Sequence, residues 1–101
     1  MKDVEGDGTD HPIKVPAAAL TDIAAERERQ KSVEGWTPEH DDNHRNGEMA
    51  YAAAKYISPV INPWPFERKW WKPKTRRYDL VRAAALIVAE IERLDRAASR
   101  G

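Results

Sequence analysis

The chain has 101 residues, the size of one domain, which excludes a multidomain enzyme. Seventeen Lys and Arg balance seventeen Asp and Glu, and 34% of residues are charged against 41% apolar, so a modest core and a heavily charged surface are expected. No apolar run approaches the ~18 residues of a membrane span, no charged-then-apolar leader opens the sequence, and the absence of cysteine excludes disulfides, thiolate metal sites and a cysteine nucleophile.

The even charge total conceals an asymmetry: residues 1–50 carry twelve acids and six bases, residues 51–101 five acids and eleven bases. Halves that pack together largely cancel their fields. This argues against a protein that coats nucleic acid generally, and leaves a local anion site or head-to-tail association open.

Residues 1–15 hold four acids and two glycines, with too little apolar surface to offset the entropy of ordering, and are expected as a flexible tail before a single helical domain over 16–101. Pro16 suits a first helical turn, and Leu20, Ile23, Ala24 and Arg27 follow at helical spacing, predicting a first helix to about Ser32. Its apolar stripe is narrow, which places it on the outside of the fold. Thr37-Pro38-Glu39 combines a capping hydroxyl, a proline at the first helical position and an acid near the positive dipole end. A second helix is predicted from there to about Ile57, with Asn43, Asn46 and Gly47 able to split it into a short and a longer piece.

Residues 58–75 contain four prolines and three tryptophans, too much proline for a helix. The segment is expected as an ordered connection whose rings fold back over the alanine-rich helices, with Trp36 and at least one of Trp64, Trp70 and Trp71 buried against the third helix. Arg68, Lys69 and Lys72 should face water. In that third helix Leu80, Ala84, Ile87, Ile91, Leu94 and Ala98 recur at spacings of four and three, predicting the central core helix. The same seam suits pairing with a second copy, so a homodimer through this helix is an alternative use. The fold class is all-α: three helices with an ordered Pro/Trp-rich connection between the second and the third.

Two segments carry candidate chemistry. On a continuous second helix His40, His44 and Glu48 fall on one line with Asp41 beside them, a set able to bind a divalent ion or pass a proton; surface acids at a helix start explain the same residues. The second segment, Phe66 to Arg77, has six bases, one acid and the Trp70-Trp71 pair. Bases neutralise phosphates and indoles stack on nucleobases, so this composition suits a nucleotide or single-stranded nucleic acid, and equally a solvated loop pinned by core tryptophans. Arg76 and Arg77 beside Asp79 are alternatively placed to tie down the first turn of the third helix.

Hydrolase patterns using these residue types fit less well. His40-Asp41 matches the His-Asp pair of HD-type phosphohydrolases, but the further ligands of that family are missing. MazG-type pyrophosphohydrolases hold Mg²⁺ with ExxE and ExxD pairs; Glu39-xx-Asp42 and Glu92-xx-Asp95 would supply four carboxylates here, although the first pair departs from ExxE. Under this alternative the chain is a Mg²⁺- or Mn²⁺-dependent nucleotide phosphohydrolase. Otherwise no cofactor, metal site or catalytic residue is expected.

EGWTPEHDDNHRNGEMAYAAAKY, then WWKP, then RRYDLVRAAALIVAEIERLDRA together resemble an uncharacterised family of small helical proteins and domains encoded by bacteriophages and prophages. The resemblance covers about residues 26–96. It implies a phage-derived protein of the host bacterial cytoplasm and supplies no reaction. A fainter similarity links the Gly-Trp start and basic, aromatic middle to ryanodine-receptor-type repeat domains, some of which bind ligands. If the entry to the second helix meets the entry to the third, they enclose one pocket. It would draw aromatic walls from Trp36, Trp64, Trp70 or Trp71, an acidic side from Glu39, Asp41 and Asp42, and a basic side from Lys72, Arg76 or Arg77. His40 and His44 would complete its rim. The expected function is non-catalytic: an accessory protein that binds a host protein or a small nucleotide-like ligand and modulates host machinery or defence.

Overall fold

The structure, a computed structural model, describes residues 18–100; the tail expected over 1–15 and the first-turn role of Pro16 lie outside the described residues. The architecture is all-α. Helix α1 spans Ala18–Ser32, α2 Pro38–Asp42, α3 Glu48–Ile57 and α4 Arg76–Arg100, with a short 3-10 helix at Arg68–Trp70 between the last two. α4 packs against each of α1, α2 and α3. No helix among the described residues is long and apolar enough to cross a membrane.

Local chemistry explains the boundaries. Beyond α1 the amide of Trp36 reaches back to the carbonyl of Gln30 at 2.9 Å, a reversal that needs Gly35 at φ 81°, where a Cβ is strained. Thr37 then caps α2, its hydroxyl accepting from the His40 amide at 3.3 Å, with Pro38 at the first helical position. The expected second helix is split: α2 stops at Asp42, and α3 restarts after Gly47, which at φ 87° forms the left-handed corner. This removes the continuous line of His40, His44 and Glu48, because the helix ends before His44.

In α3 the buried side chains are Met49, Ala52, Ala53 and Tyr56, the i, i+3, i+4, i+7 pattern of one helix face. The small alanines bring α3 close to Ala83 and Leu86 of α4, and Trp36 joins this cluster. Trp64, Phe66, Trp70 and Trp71 pack on it partly buried; Trp36 is buried as expected, but none of the three loop indoles is fully enclosed. Arg68, Lys69 and Lys72 are exposed. The connection is anchored at both ends. Asn62 Nδ2 donates to the carbonyls of Ala54 and Ser58, both at 3.1 Å, and the Tyr56 hydroxyl accepts from the Lys72 amide and from Arg82 Nη1, both at 3.2 Å.

Two expectations about helix faces are corrected. The stripe Leu80, Ala84, Ile87, Ile91, Leu94 and Ala98 is not the core face of α4: its four large side chains are exposed. The face turned inward carries Arg82, Ala83, Ala85, Leu86, Ala89 and Arg93, because close approach to alanine-lined α3 selects small residues and long basic side chains satisfy buried acceptors. α1, expected on the outside, does turn most of its apolar residues outward, yet it buries Glu26, Arg27 and Gln30. Arg29 clasps Glu26 through two bonds of 2.8 and 2.9 Å, and Gln30 Nε2 donates to Glu26 at 3.3 Å and to the Arg82 carbonyl at 3.4 Å. α1 therefore docks by a polar network.

Leu86 is the largest aliphatic residue fully enclosed in this core besides Met49. Leu86→Ala should lower unfolding stability by ~2–5 kcal/mol, whereas Val60→Ala in the exposed connection should change it by under ~0.5 kcal/mol; urea unfolding followed by circular dichroism separates the two.

Candidate ligand-binding site

The site is built on a buried ion pair. Arg27, on α1, sends Nη2 to Asp41 Oδ2 at 2.8 Å, Nη1 to the Trp36 carbonyl at 3.1 Å and Nε to Glu92 Oε1 on α4 at 3.2 Å. Arg27 and Asp41 side chains are 4% and 0% exposed. Enclosing both charges is tolerable only because each is paired and further hydrogen-bonded. The other Asp41 oxygen lies 2.9 Å from His40 Nδ1. A carboxylate oxygen accepts, so Nδ1 of His40 is the donor in this contact and Asp41 fixes the orientation of the ring.

From this base an aromatic ridge rises. The Trp36 and His40 rings are parallel within 3° at 5.8 Å, and His40 and His44 lie 4.4 Å apart. Trp36 also meets Phe66 at 5.6 Å and Trp70 at 6.3 Å. Trp64 continues the series through Phe66 at 5.5 Å and Trp71 at 5.2 Å. Phe66 stands between two clefts. One, of about 250 Å³, is lined by Trp36, His40, His44, Phe66 and Trp70 with Glu34 and Glu67. The other, of about 380 Å³, is lined by Trp64, Phe66 and Trp71 with Lys55 and Arg68.

The first cleft is held by its rim. Lys72 bonds Glu34 at 3.0 Å and sits over the Trp70 ring at 5.3 Å, and Arg29 bonds Glu34 at 3.1 Å. Burial pushes the Glu34 carboxyl up, but the hydrogen bonds from Lys72 and Arg29 outweigh it and hold the group below its usual range. In the second cleft Lys55 lies over Trp71 at 5.2 Å. The Arg68 side chain is exposed and has no ion pair among the described residues.

The residues singled out from sequence are thus partly assembled. Trp36, His40, His44 and Trp70 share the first cleft, Lys72 caps it, and Trp71 lines the second. Asp41 supports His40 from beneath. Asp42 points elsewhere, to Arg96 at 2.8 Å and Arg100 at 3.0 Å; the Arg96 bond, aided by Arg100 against some desolvation, holds its carboxyl below the ordinary range. Glu39 is exposed outside both clefts. Arg76 donates to the Ile57 carbonyl at 2.7 Å and Arg77 to Asp22 at 2.9 Å, so both fasten α4. The acidic side and most of the basic side of the expected single pocket are therefore dispersed. Lys55, Phe66, Glu67 and Arg68 take their place; three of these lie inside the basic, aromatic run, whereas nothing in the sequence marks Lys55.

Among the described residues no group of three or more His, Cys, Asp or Glu side chains is arranged to hold a metal ion. Glu39, Asp42, Glu92 and Asp95 in particular do not converge, since Glu92 turns to Arg27 and Asp42 to Arg96. Compared with known proteins, the chain matches no family model, no curated protein and no solved structure, so the site is read from its own geometry.

Two predictions follow from these ion pairs. Asp41→Ala leaves Arg27 buried without its principal counter-ion and should cost ~3–5 kcal/mol, while Arg27→Met with Asp41→Ala should recover part of that loss in the same urea assay. Glu34 and Asp42 are both lowered in the folded chain, so below the ordinary carboxylate value of ~4 the unfolded chain binds more protons. Their stabilisation is complete above that value and is lost as pH falls through the folded values. Thermal melts between about pH 6 and about pH 2 should show a shallower acid decline for Glu34→Gln with Asp42→Asn than for the unsubstituted chain.

Proposed function

We propose that the chain is a non-catalytic phage accessory protein that binds a nucleotide-like ligand on its aromatic ridge and through it modulates host machinery or defence. The reading rests on one observation: Trp64 and Trp71, 5.2 Å apart, line the same cleft as Lys55 and Arg68. Indole faces accept a nucleobase and the two cations accept its phosphate. The first cleft, with Glu34 and Glu67 on its wall, is less suited to an anion.

Intrinsic fluorescence of the tryptophans gives the test. Titration with mono- and dinucleotides should quench it saturably. Arg68→Ala, at an exposed side chain, should weaken binding and leave the melting temperature in place. Loss of one stacking ring, at ~1–3 kcal/mol, predicts roughly 5- to 150-fold weaker binding for Trp64→Ala. Absence of saturable quenching by any nucleotide, or unchanged affinity in both variants, removes the nucleotide reading.

A host protein is the second occupant this region supports, because Val60 and Ile61, 94% and 78% exposed, form an apolar tip on the same connection. Co-purification from infected host lysate should then lose the partner with Val60→Asp and Ile61→Asp and retain it with Arg68→Ala. A partner lost through Arg68→Ala alone would return weight to the cleft.

A further inference from the structure

The face of α4 turned away from the rest of the chain is apolar. Leu80, Ile87, Ile91 and Leu94 are 40, 41, 50 and 51% exposed; Ala98 is exposed as well and Ala84 half-buried. These six residues alternate in steps of four and three, the period of a helix that pairs with another helix. The stripe runs from Leu80 to Ala98, ~27 Å at 1.5 Å per residue. Single exposed apolar residues are ordinary, but a contiguous stripe marks an interaction surface.

The order of the side chains identifies the occupant. Read along the helix they are Leu, Ala, Ile, Ile, Leu, Ala. Lay a second copy antiparallel, about a two-fold axis at the level of Ala89, and Leu80 meets the partner's Ala98, Ala84 meets the partner's Leu94, and Ile87 meets the partner's Ile91. No layer is left with two alanines, and the pattern is complementary to its own reverse, as a two-fold interface requires. A parallel pair stacks each residue on itself, leaving hollow Ala84 and Ala98 layers next to crowded Leu80 and Leu94 layers.

Charge favours the same arrangement. Parallel pairing would bring Glu90 against the partner's Asp95 on both sides of the seam, like against like. Antiparallel pairing flanks the seam with Val81, Val88 and Asp95 on one side and with Glu90 and Ala97 on the other, so the two like-charge contacts become one, Glu90 against the partner's Glu90 at the axis. Glu90 is already neutralised by Arg93 at 2.8 Å, and the helix dipoles oppose.

We propose that the protein is a two-fold homodimer whose α4 helices pair antiparallel through Leu80, Ala84, Ile87, Ile91, Leu94 and Ala98. The proposal concerns a face remote from the two clefts' lining and does not depend on the ligand reading. Sedimentation equilibrium of the full chain should return twice its 11.5 kDa. Ile87→Glu combined with Ile91→Glu should return a single chain mass with helix content unchanged, since both side chains are half-exposed within one chain.

Because the chain lacks cysteine, single introduced thiols report orientation. A short bis-maleimide should join Val88→Cys chains across the two-fold axis. It should not join Leu80→Cys chains, whose thiols would lie ~27 Å apart. A monomeric mass for the unsubstituted chain overturns the proposal, as does a dimer that survives both glutamates. Efficient joining at Leu80→Cys overturns the antiparallel pairing.

Discussion

The ion pair between Arg27 and Asp41 is the constraint on which the rest of the molecule hangs. A guanidinium removed from water has five N–H groups to satisfy, and here three of its nitrogens are answered from three places: α2 through Asp41, the turn through the Trp36 carbonyl, and α4 through Glu92. No displacement of α1, the Gly35 turn or α4 leaves all three bonds intact. Fixing Trp36 by its carbonyl also fixes where its indole lies, and fixing Asp41 fixes the His40 ring. The aromatic ridge inherits its geometry from a charge pair beneath it.

Such a device suits a core this thin. Among the described residues five of the nine buried apolar side chains are alanines, and alanine contributes little area to burial. An apolar interior made of so few large groups has many near-equivalent packings. Buried polar contacts accept far fewer, because a misplaced helix strands a charge at a cost of several kcal/mol. The network from Glu26 through Arg29 and Gln30 to Arg82 serves α1 in the same way, and Arg82 extends it by bonding both the Tyr56 hydroxyl and the Lys72 carbonyl. The proline-rich connection, which has almost no repetitive backbone bonding of its own, is positioned by that arginine and by Asn62.

What was legible from the sequence follows from the range of each interaction. Thr37-Pro38 and the break over Asn43–Gly47 are local signals, each complete within about one turn of helix, and each appears where expected. The existence of the last helix was equally clear, but its orientation was not. Periodicity identifies an apolar stripe without saying what covers it, and here the wider stripe faces outward while Ala83, Leu86 and Ala89 face in. Arg27 sat at helical spacing with Leu20, Ile23 and Ala24, yet Leu20 and Ala24 are exposed, so the apolar spacing of α1 did not mark its inward face. A buried arginine becomes legible only when acceptors 9, 14 and 65 residues away are seen to converge. The clefts were half-visible for the same reason: neighbours in sequence such as His40 and His44 could be paired, whereas Lys55 meets Trp71 only through the fold.

The outward stripe and the polar interior are two sides of one allocation. Leu80, Ile87, Ile91 and Leu94 hold much of the bulky aliphatic surface of the chain, and a sequence selected only for a stable monomer would turn them toward α3, where alanines leave room. Turning them inward would instead push Arg82 and Arg93 out to water and leave the Tyr56 hydroxyl without Arg82. The connection would then lose the arginine that fastens it, and with it the placement of Trp64, Trp70 and Trp71. The helix is therefore committed in orientation by its basic residues rather than by its apolar ones, and the apolar ones remain available for contact with something outside the chain.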